Sequence, residues 1–458
     1  MTSGLGDLRR ILGPLAGVAV CVGMAVGSGI LRTPGEVAAA LPSAPWILGV
    51  WLLGALVATM DALILAEMAS SVPRVGGLVA YLHLSFGRLT AFLCGWSMLL
   101  VTWPASLAAV AVVFGELAVS GASSLQGGAA SSQGRIVGTA MITLLALVNL
   151  RGLKLGARTE VGLFLAKVLL LTLVCLASVL AAPVTAAATL LTGPDTPLAG
   201  AGIAAMPTSP WLLFAAVGAA MKNVLFSYDG YADAVYMAGE TENPGKALPR
   251  ALFTSLITIS GLYVFANAAF LYVLGTDGLA HSKFAALDVA KVAFGDSGEL
   301  ILTGVAMVIL LGAANAYFLT GPRIARVLAE EGLALRSLGR IDDAGAPPAA
   351  TLLVLVMAVA FLWTGSFDYL ISITIPIISA TVALVALGLM VQRRRAPDRP
   401  RPFRVPFAPV VVALQIALGV FLVSGYIADN PEAVAIDALC LLLGAVVYYL
   451  TGRQRVGS

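Results

Sequence analysis

Two short polar interruptions within long apolar stretches contain the residues best suited to bind a small molecule. Residues 27–29 read Gly-Ser-Gly, and residues 226–231 read Phe-Ser-Tyr-Asp-Gly-Tyr. Each glycine weakens a helix by about 1 kcal/mol, and an unwound segment at membrane depth exposes N–H and C=O groups that lipid cannot satisfy. Such groups must line a cavity or bind a ligand, and the start of the following half-helix favours a carboxylate. Close helix packing is the alternative explanation for the glycines of residues 27–29.

The composition places these interruptions in a membrane protein. Of the 458 residues, 59% are apolar and 11% are charged, and the mean hydropathy is +0.96. A soluble domain has about 25% charged residues, so a soluble protein is excluded, as are disordered, collagen-like and disulfide-rich chains. The apolar runs are long and continuous rather than alternating over about ten residues, which predicts spanning helices and not a barrel.

Twelve segments are long and apolar enough to cross a membrane, because a spanning helix needs about 20 residues. The predicted fold is therefore an all-α polytopic membrane protein with 12 transmembrane helices. The predicted spans lie near residues 11–40, 45–70, 89–118, 135–150, 158–182, 211–238, 250–274, 299–320, 348–364, 367–391, 408–427 and 433–451.

The distribution of basic residues predicts the orientation of these spans. With the N-terminus inside, 21 of the 27 Lys and Arg residues fall in inner segments and three in outer ones, the bias expected of cytoplasmic loops. Both termini are therefore expected in the cytoplasm, with the chain in the cell membrane. Because the basic residues are scattered over seven segments, nucleic-acid binding is a poor interpretation.

The placement of the two interruptions favours a secondary transporter. Each lies in the first span of a block of five, and interrupted helices in corresponding positions of two halves indicate a substrate site. A channel would need charged rings or repeated carbonyl motifs, and a membrane enzyme would need a convergent nucleophile, base or metal set. The sequence contains neither pattern.

Cysteine and histidine usage predicts no catalytic residue, no cofactor and no metal. His83 and His281 lie far apart in the chain, so they form no metal-binding pattern. The cysteines fall in apolar runs without CxxC spacing, which is typical of small buried residues. They are Cys21, Cys94, Cys175 and Cys440.

Six stretches carry a family resemblance. They read GSGILRTPG (27–35), AEMASSVPRVGGLVAYL (66–82), FGRLTAFLCGWSMLL (86–100), VNLRGLKLGARTEVGLFLAK (148–167), LFSYDGYADAVYMAGETENPGKALPRAL (225–252) and GPRIARVLAEEGL (321–333). With them the chain resembles the amino acid–polyamine–organocation (APC) transporter superfamily, and within it bacterial relatives of the L-type amino acid exchangers.

The resemblance implies the architecture of the chain. It implies a single transporter domain, 1–458, with a LeuT-type five-plus-five inverted repeat in which helices 1 and 6 are broken. The first five-helix repeat would cover residues 11–182, and the inverted second repeat would cover residues 211–391. Helices 11 and 12 would follow at residues 408–451.

The resemblance also implies where an amino acid would bind. The backbone amides of residues 27–29 would hold the carboxylate, and main-chain carbonyls of both interruptions would accept the α-amino group. Phe226 resembles the aromatic gate of the family, with an ordinary core position as the alternative. The implied substrate-binding residues are Ala25, Gly27, Ser28, Gly29, Phe226, Asp229 and Gly230.

Lys167 is a charged residue in the middle of the fifth predicted span, where charge is costly and functional by default. The resemblance places its ammonium beside the broken part of helix 1, where sodium-coupled relatives hold an ion. This implies sodium-independent transport. Alternatively, Lys167 releases its proton during the cycle and couples transport to protons.

Other polar residues leave alternatives open. Asp229 could favour a cationic side chain, bind the α-amino group, or cap the half-helix that follows. Glu67 is expected to anchor inner loops rather than bind substrate, and Lys222 has no firm interpretation. Trp103 and Asn315 are candidates to line the cavity, with helix packing as the alternative.

The predicted function is sodium-independent exchange of neutral L-amino acids by alternating access. The alternative is a proton-coupled or exchange transporter of cationic amino acids or polyamines, which Asp229 and Asp233 favour. The expected partners are an amino acid substrate and the lipid bilayer, with no obligatory protein partner. The protein is not expected to be an enzyme.

Overall fold

The computed structural model describes residues 10–41, 43–74, 76–120, 131–181, 209–282, 284–295, 297–429 and 431–452. Residue 182, at the end of the first predicted repeat, lies outside these ranges. So do four basic residues that entered the orientation argument, Arg9, Lys283, Arg453 and Arg455.

The described chain is helical, as the long apolar runs predict. In chain order the helices are α1 (Pro14–Ala25), α2 (Ser28–Ala40), α3 (Ala44–Ser71), α4 (Gly77–Phe86), α5 (Arg88–Ser97), α6 (Trp103–Ser120), α7 (Ser132–Leu150), α8 (Leu153–Ala181), α9 (Pro210–Tyr228), α10 (Pro244–His281), α11 (Ala285–Phe294), α12 (Ser297–Glu330), α13 (Arg336–Gly339), α14 (Pro348–Thr364), α15 (Phe367–Ser372), α16 (Ile375–Arg395), α17 (Ala408–Asp429) and α18 (Pro431–Gly452).

Several helical stretches are long and apolar enough to cross a membrane. The described residues contain eight of them, two of which combine neighbouring helices (α5 with α6, and α15 with α16), and the bent pair α1 and α2 would make a ninth span. Helices α9, α14 and α17 occupy the positions of the remaining three predicted spans. The chain is therefore a multi-pass membrane protein, and each predicted span coincides with helical structure.

The first glycine-containing interruption is a helix break. Helix α1 ends at Ala25, α2 begins at Ser28, and the two axes are bent by 45°. Val26 and Gly27 between them have non-helical backbone angles. Three backbone N–H groups at the start of α2 and the last carbonyls of α1 therefore lack the partners that a continuous helix would provide.

The second interruption ends α9 at Tyr228. Gly230 has a positive φ of 94°, and a short 3₁₀-helix follows at Asp233–Glu240. A Cβ at Gly230 would also overlap the side chain of Met24 at the end of α1. Glycine is thus required here twice, for its left-handed backbone and for the close approach of the two breaks.

Two further irregularities were not predicted. A π-helical turn, Met98–Thr102, joins α5 to α6. Pro104, the second residue of α6, has no N–H to continue the α-helical bonding. The tenth predicted span is divided at residues 373–374, before Pro376, because a proline has no N–H to bond the preceding turn and is best accommodated in the first turn of a new helix. Both prolines were visible signals in the sequence.

Helix α12 extends further than the predicted end near residue 320. It continues to Glu330, and its last turns contribute Arg323 to the core. Arg323 Nε lies 3.0 Å from Glu240 Oε2, and both side chains are buried. The ion pair explains why basic residues are accommodated in this helix.

The start of the described chain is tied to the segment that follows the second break. The amides of Ile11 and Leu12 both donate to the Glu240 carbonyl at 3.0 Å, and the Glu242 amide donates to the Leu12 carbonyl at 2.9 Å. These bonds form an isolated parallel bridge between Leu12 and Thr241.

Candidate functional site

The two helix breaks border one cavity, which we call the central cavity. Helices α6, α12, α15 and α16 complete its wall, together with residues that join α15 to α16. The wall residues that bear on ligand binding are Ala25, Gly27, Ser28, Gly29, Ser106, Phe226, Asp229, Tyr317 and Thr374. Six of the predicted site residues therefore surround one space.

The other predicted residues lie outside this wall. Gly230 and Trp103 line a second cavity, which shares Met24 and Asp229 with the first. Trp103 is held there by a 2.9 Å bond from its Nε1 to Thr320 Oγ1. Lys167 and Asn315 are fully buried behind the break between α1 and α2.

The start of α2 supplies the donors of the central cavity. The first N–H groups of a helix have no partner within it and carry a partial positive charge. The amides of Ser28 and Gly29 are in this position, and the Ser28 hydroxyl is beside them. The Gly27 amide differs, because it donates to the Ala25 carbonyl at 2.9 Å.

Gly29 also lies at the closest approach of α2 and α9. A Cβ at this position would lie 2.9 Å from Ser227 Cα and 2.8 Å from Ser227 Oγ. The helices are joined beside it by a 2.8 Å bond between Thr33 Oγ1 and Ser227 Oγ. Close packing, the alternative considered for this glycine, therefore holds alongside its position on the cavity wall.

A tyrosine that the sequence analysis did not identify joins the two breaks. The Tyr263 hydroxyl of α10 lies 2.7 Å from the Ala25 carbonyl and 2.7 Å from the Ser227 carbonyl. A phenol has one proton, so it donates to one carbonyl at a time. Trp51 and Tyr228 pack edge-on against its ring, with centroid distances of 5.3 and 5.2 Å.

Lys167 satisfies other carbonyls of the same break. Its Nζ donates to the carbonyl of Gly23 at 2.8 Å and to that of Val26 at 3.0 Å. Gly312 on α12 makes room for the ammonium, since a Cβ there would lie 2.6 Å from Nζ. A protonated amine thus occupies a site made of main-chain oxygens inside the protein.

Glu160 is the electrostatic partner of Lys167, and the sequence analysis missed it. It lies seven residues earlier on α8, which places both side chains on one helix face, and the two attract each other. Glu160 Oε2 accepts a 2.8 Å bond from Asn315 Nδ2, whose own Oδ1 accepts from Asn149 Nδ2 at 2.8 Å. Asn315, predicted to line the cavity, instead belongs to this buried network.

The capping interpretation of Asp229 does not match the local structure. The residue that precedes the 3₁₀-helix Asp233–Glu240 is Ala232, and no side chain caps it. Asp229 itself has extended ψ, and its amide donates to the Phe226 carbonyl at 3.2 Å. Its half-buried side chain borders both cavities.

Glu67 lies away from the cavities and links loops at one end of the bundle. Its fully buried carboxylate accepts a 2.8 Å bond from Arg393 Nε, and Arg401 Nε lies 3.4 Å away. The Val405 amide donates to it at 2.7 Å. These contacts connect the end of α3 to the segment between α16 and α17.

Comparisons with known proteins agree with this arrangement. The family model described as "Amino acid permease" matches residues 12–446. The chain is 26% identical over 456 residues to the serine/threonine exchanger SteT of Bacillus subtilis, covering 96% of this chain and 97% of that protein. It is also 26% identical to the mouse b(0,+)-type amino acid transporter 1, covering 97% of this chain and 88% of that protein.

A third relative is the mouse Asc-type amino acid transporter 1. It is 26% identical over 446 residues, covering 97% of this chain and 81% of that protein. The matches extend over almost the whole chain and include both helix breaks. The APC resemblance based on short motifs is therefore confirmed over residues 12–446.

Proposed function

The chain belongs to the amino acid permease family, and we propose that it exchanges neutral L-amino acids across the cytoplasmic membrane without sodium. Transport of an amino acid follows from family membership. The name of one relative, an exchanger of serine and threonine, supports exchange and a small substrate. All three relatives are named as transporters or exchangers, in keeping with a carrier rather than an enzyme.

The observation that carries the proposal is the meeting of both breaks at one cavity. A zwitterion needs hydrogen-bond donors at one end and acceptors at the other. The amides of Ser28 and Gly29 lie on the same wall as the Phe226 and Asp229 segment, so a carboxylate on the first and an ammonium on the second would bring an α-carbon between them. The side chain would then face Ser106, Thr374 and Tyr317.

Sodium independence rests on Lys167. Its ammonium donates to two main-chain oxygens of the first break, the type of ligand that would otherwise coordinate a bound cation. An ammonium at this place leaves no role for sodium in holding the break open. Since Glu160 balances its charge inside the protein, the favoured role of Lys167 is structural.

The wider architecture belongs to the same proposal. Twelve spans in a LeuT-type inverted repeat, with residues 11–182 and 211–391 as the two halves and 408–451 appended, would place both breaks at the membrane midplane. Both termini would lie in the cytoplasm, as the basic residues predict. Alternating access would then expose the central cavity to each side in turn.

The experiment is exchange in proteoliposomes with the purified protein. Vesicles loaded with unlabelled serine or alanine should take up the labelled amino acid, and empty vesicles should not. Replacing sodium with choline should leave the rate unchanged, and an inward proton gradient should not drive uptake into empty vesicles. Sodium-stimulated uptake would contradict the proposal, and gradient-driven uptake would favour the proton-coupled alternative.

One observation favours the alternative of cationic amino acids or polyamines. Asp229 borders both cavities, and Asp233 lines the second one. Lysine and arginine are absent from the described residues that form these two walls. An uncompensated carboxylate within a membrane protein commonly marks a path for cations.

A further inference from the structure

A third cavity opens beside the central one, and we call it the side cavity. It lies between helices α3, α9, α16 and α17, and it shares Phe226, Asp229 and Ile375 with the central cavity. Phe226 and Asp229 therefore stand at the junction of the two spaces. A ligand held by the helix breaks would pass these two residues to reach the side cavity.

The side cavity contains two buried hydrogen-bond acceptors without partners. Asp61 on α3 is 8% exposed and Gln415 on α17 is 5% exposed. Asp61 Oδ1 and Gln415 Oε1 both lack a hydrogen-bond partner among the described residues, although the Tyr231 hydroxyl bonds the Asp61 carboxylate. A buried acceptor without a donor is destabilising, so two at one cavity indicate a ligand that brings donors.

The rest of the wall indicates the shape and charge of that ligand. It is largely aliphatic, with Val57, Leu225, Ile378, Val382 and Leu418 among its members, and the described part of the wall contains no lysine or arginine. An alkyl chain that ends in an ammonium matches both the aliphatic wall and the two acceptors.

We propose that the side cavity is a subsite for the side chain of a cationic amino acid, with Asp61 and Gln415 as acceptors for its terminal ammonium. The inference rests on the proposed function, because the helix breaks must hold the α-carboxylate and α-amino groups. Asp229 lies beside the methylene chain at the junction, and Phe226 moves aside to admit it. Neutral substrates occupy the central cavity alone.

Exchange by the full-length protein in proteoliposomes tests this subsite. The probes are L-lysine and L-norleucine, which share a straight four-carbon side chain but differ in the terminal ammonium. The wild type should exchange both. Norleucine exchange without lysine exchange would overturn the subsite and leave the proposed function intact, whereas exchange of no amino acid by monodisperse protein would overturn both.

Two variants separate recognition from folding. Asp61→Asn keeps the side-chain size and removes the charge, and we expect the KM for lysine to rise at least about tenfold while that for norleucine stays within about twofold. Gln415→Leu removes the unpartnered acceptor and places an apolar side chain on a wall rich in aliphatic residues, so it should fold about as well as the wild type. It should raise the KM for lysine about threefold to tenfold.

Asp437→Asn is the matched control. Asp437 is a buried carboxylate on α18 whose two oxygens also lack partners in the described chain, and it is not among the residues that line the three cavities. This variant should leave the lysine-to-norleucine ratio unchanged. Equal losses for both probes in Asp61→Asn and Gln415→Leu, or the same lysine-specific loss in Asp437→Asn, would overturn the proposal.

Discussion

The broken first helix is held by two donors of different chemistry. Lys167 brings a charged ammonium to the carbonyls of Gly23 and Val26, whereas Tyr263 brings a neutral hydroxyl to the carbonyl of Ala25. The charged donor comes with a buried counter-charge, Glu160, and a chain of side-chain amides behind it. The neutral donor needs only aromatic neighbours that fix its ring.

The difference follows from the cost of burying charge. A lone ammonium in the protein interior is strongly destabilising, and a partner carboxylate with its own hydrogen bonds offsets most of that cost. A hydroxyl carries no such penalty. Removing one member of the network around Lys167 should therefore destabilise the whole network, because it leaves a buried charge unpaired. Removing the Tyr263 hydroxyl should cost only a single hydrogen bond.

Lys167→Ala should have the largest effect. It removes both bonds to the break and leaves Glu160 as an uncompensated buried charge, a change that costs about 3–5 kcal/mol in comparable pairs. Amino acid exchange in proteoliposomes should fall at least about tenfold, and the Tm of the purified protein should drop. Lys154→Ala, at an exposed position on the same helix, is the control. Exchange within twofold of wild type would show that Lys167 does not hold the break.

Glu160→Gln should have the next largest effect. It keeps an acceptor for Asn315 but removes the charge that attracts Lys167, and exchange should fall about fivefold. Combined with Lys167→Met, it should lower the Tm by less than the sum of the two single changes, because no unpaired charge then remains. Strictly additive losses would mean that the two residues act independently.

Tyr263→Phe should be milder. It removes one neutral hydrogen bond and keeps the ring packed against Trp51, so exchange should fall about twofold to fivefold. Tyr272→Phe, a half-buried tyrosine on the same helix, provides the reference measurement. A loss as large as that of Lys167→Ala would erase the distinction between the two donors.

The smallest effect is expected of Gly27→Ala. The nearest atoms to a new Cβ at this position, in Ala313 and Met24, lie 3.6 Å away, which is ordinary contact. Exchange should stay within about twofold of wild type. Gly29→Ala gives the contrast within the same turn, because its Cβ would press on Ser227 and should lower the Tm clearly. Equal effects of the two changes would mean that packing does not separate these glycines.

The sequence predicted those site residues that are unusual for a membrane span. Glycine pairs, Asp229 and Lys167 interrupt apolar runs, so the positions of both breaks and the buried lysine could be read from one chain. Glu160 and Asp61 gave the same type of signal, a carboxylate in an apolar stretch, and were overlooked. Pro104 and Pro376 similarly marked the two irregular helices.

Other features could not be found in this way. Tyr263 and Gln415 are ordinary residues within long helices, and only the packing of α10 and α17 brings them to the breaks and the side cavity. Asn315 was correctly noted as a polar residue in a span, but its direction depends on how α12 packs against α8. Contacts between helices distant in sequence have no local pattern.

The Tyr263 bond also determines when the first helix can be completed during synthesis. The hydroxyl that bonds the Ala25 carbonyl belongs to a residue 238 positions later in the chain. A ribosome adding about 5–20 residues per second takes roughly 10 to 50 seconds to reach it. Through that interval the broken end of helix 1 has already been made but lacks this donor, and lipid has none to offer. Water or the insertion machinery must therefore solvate it until α10 arrives.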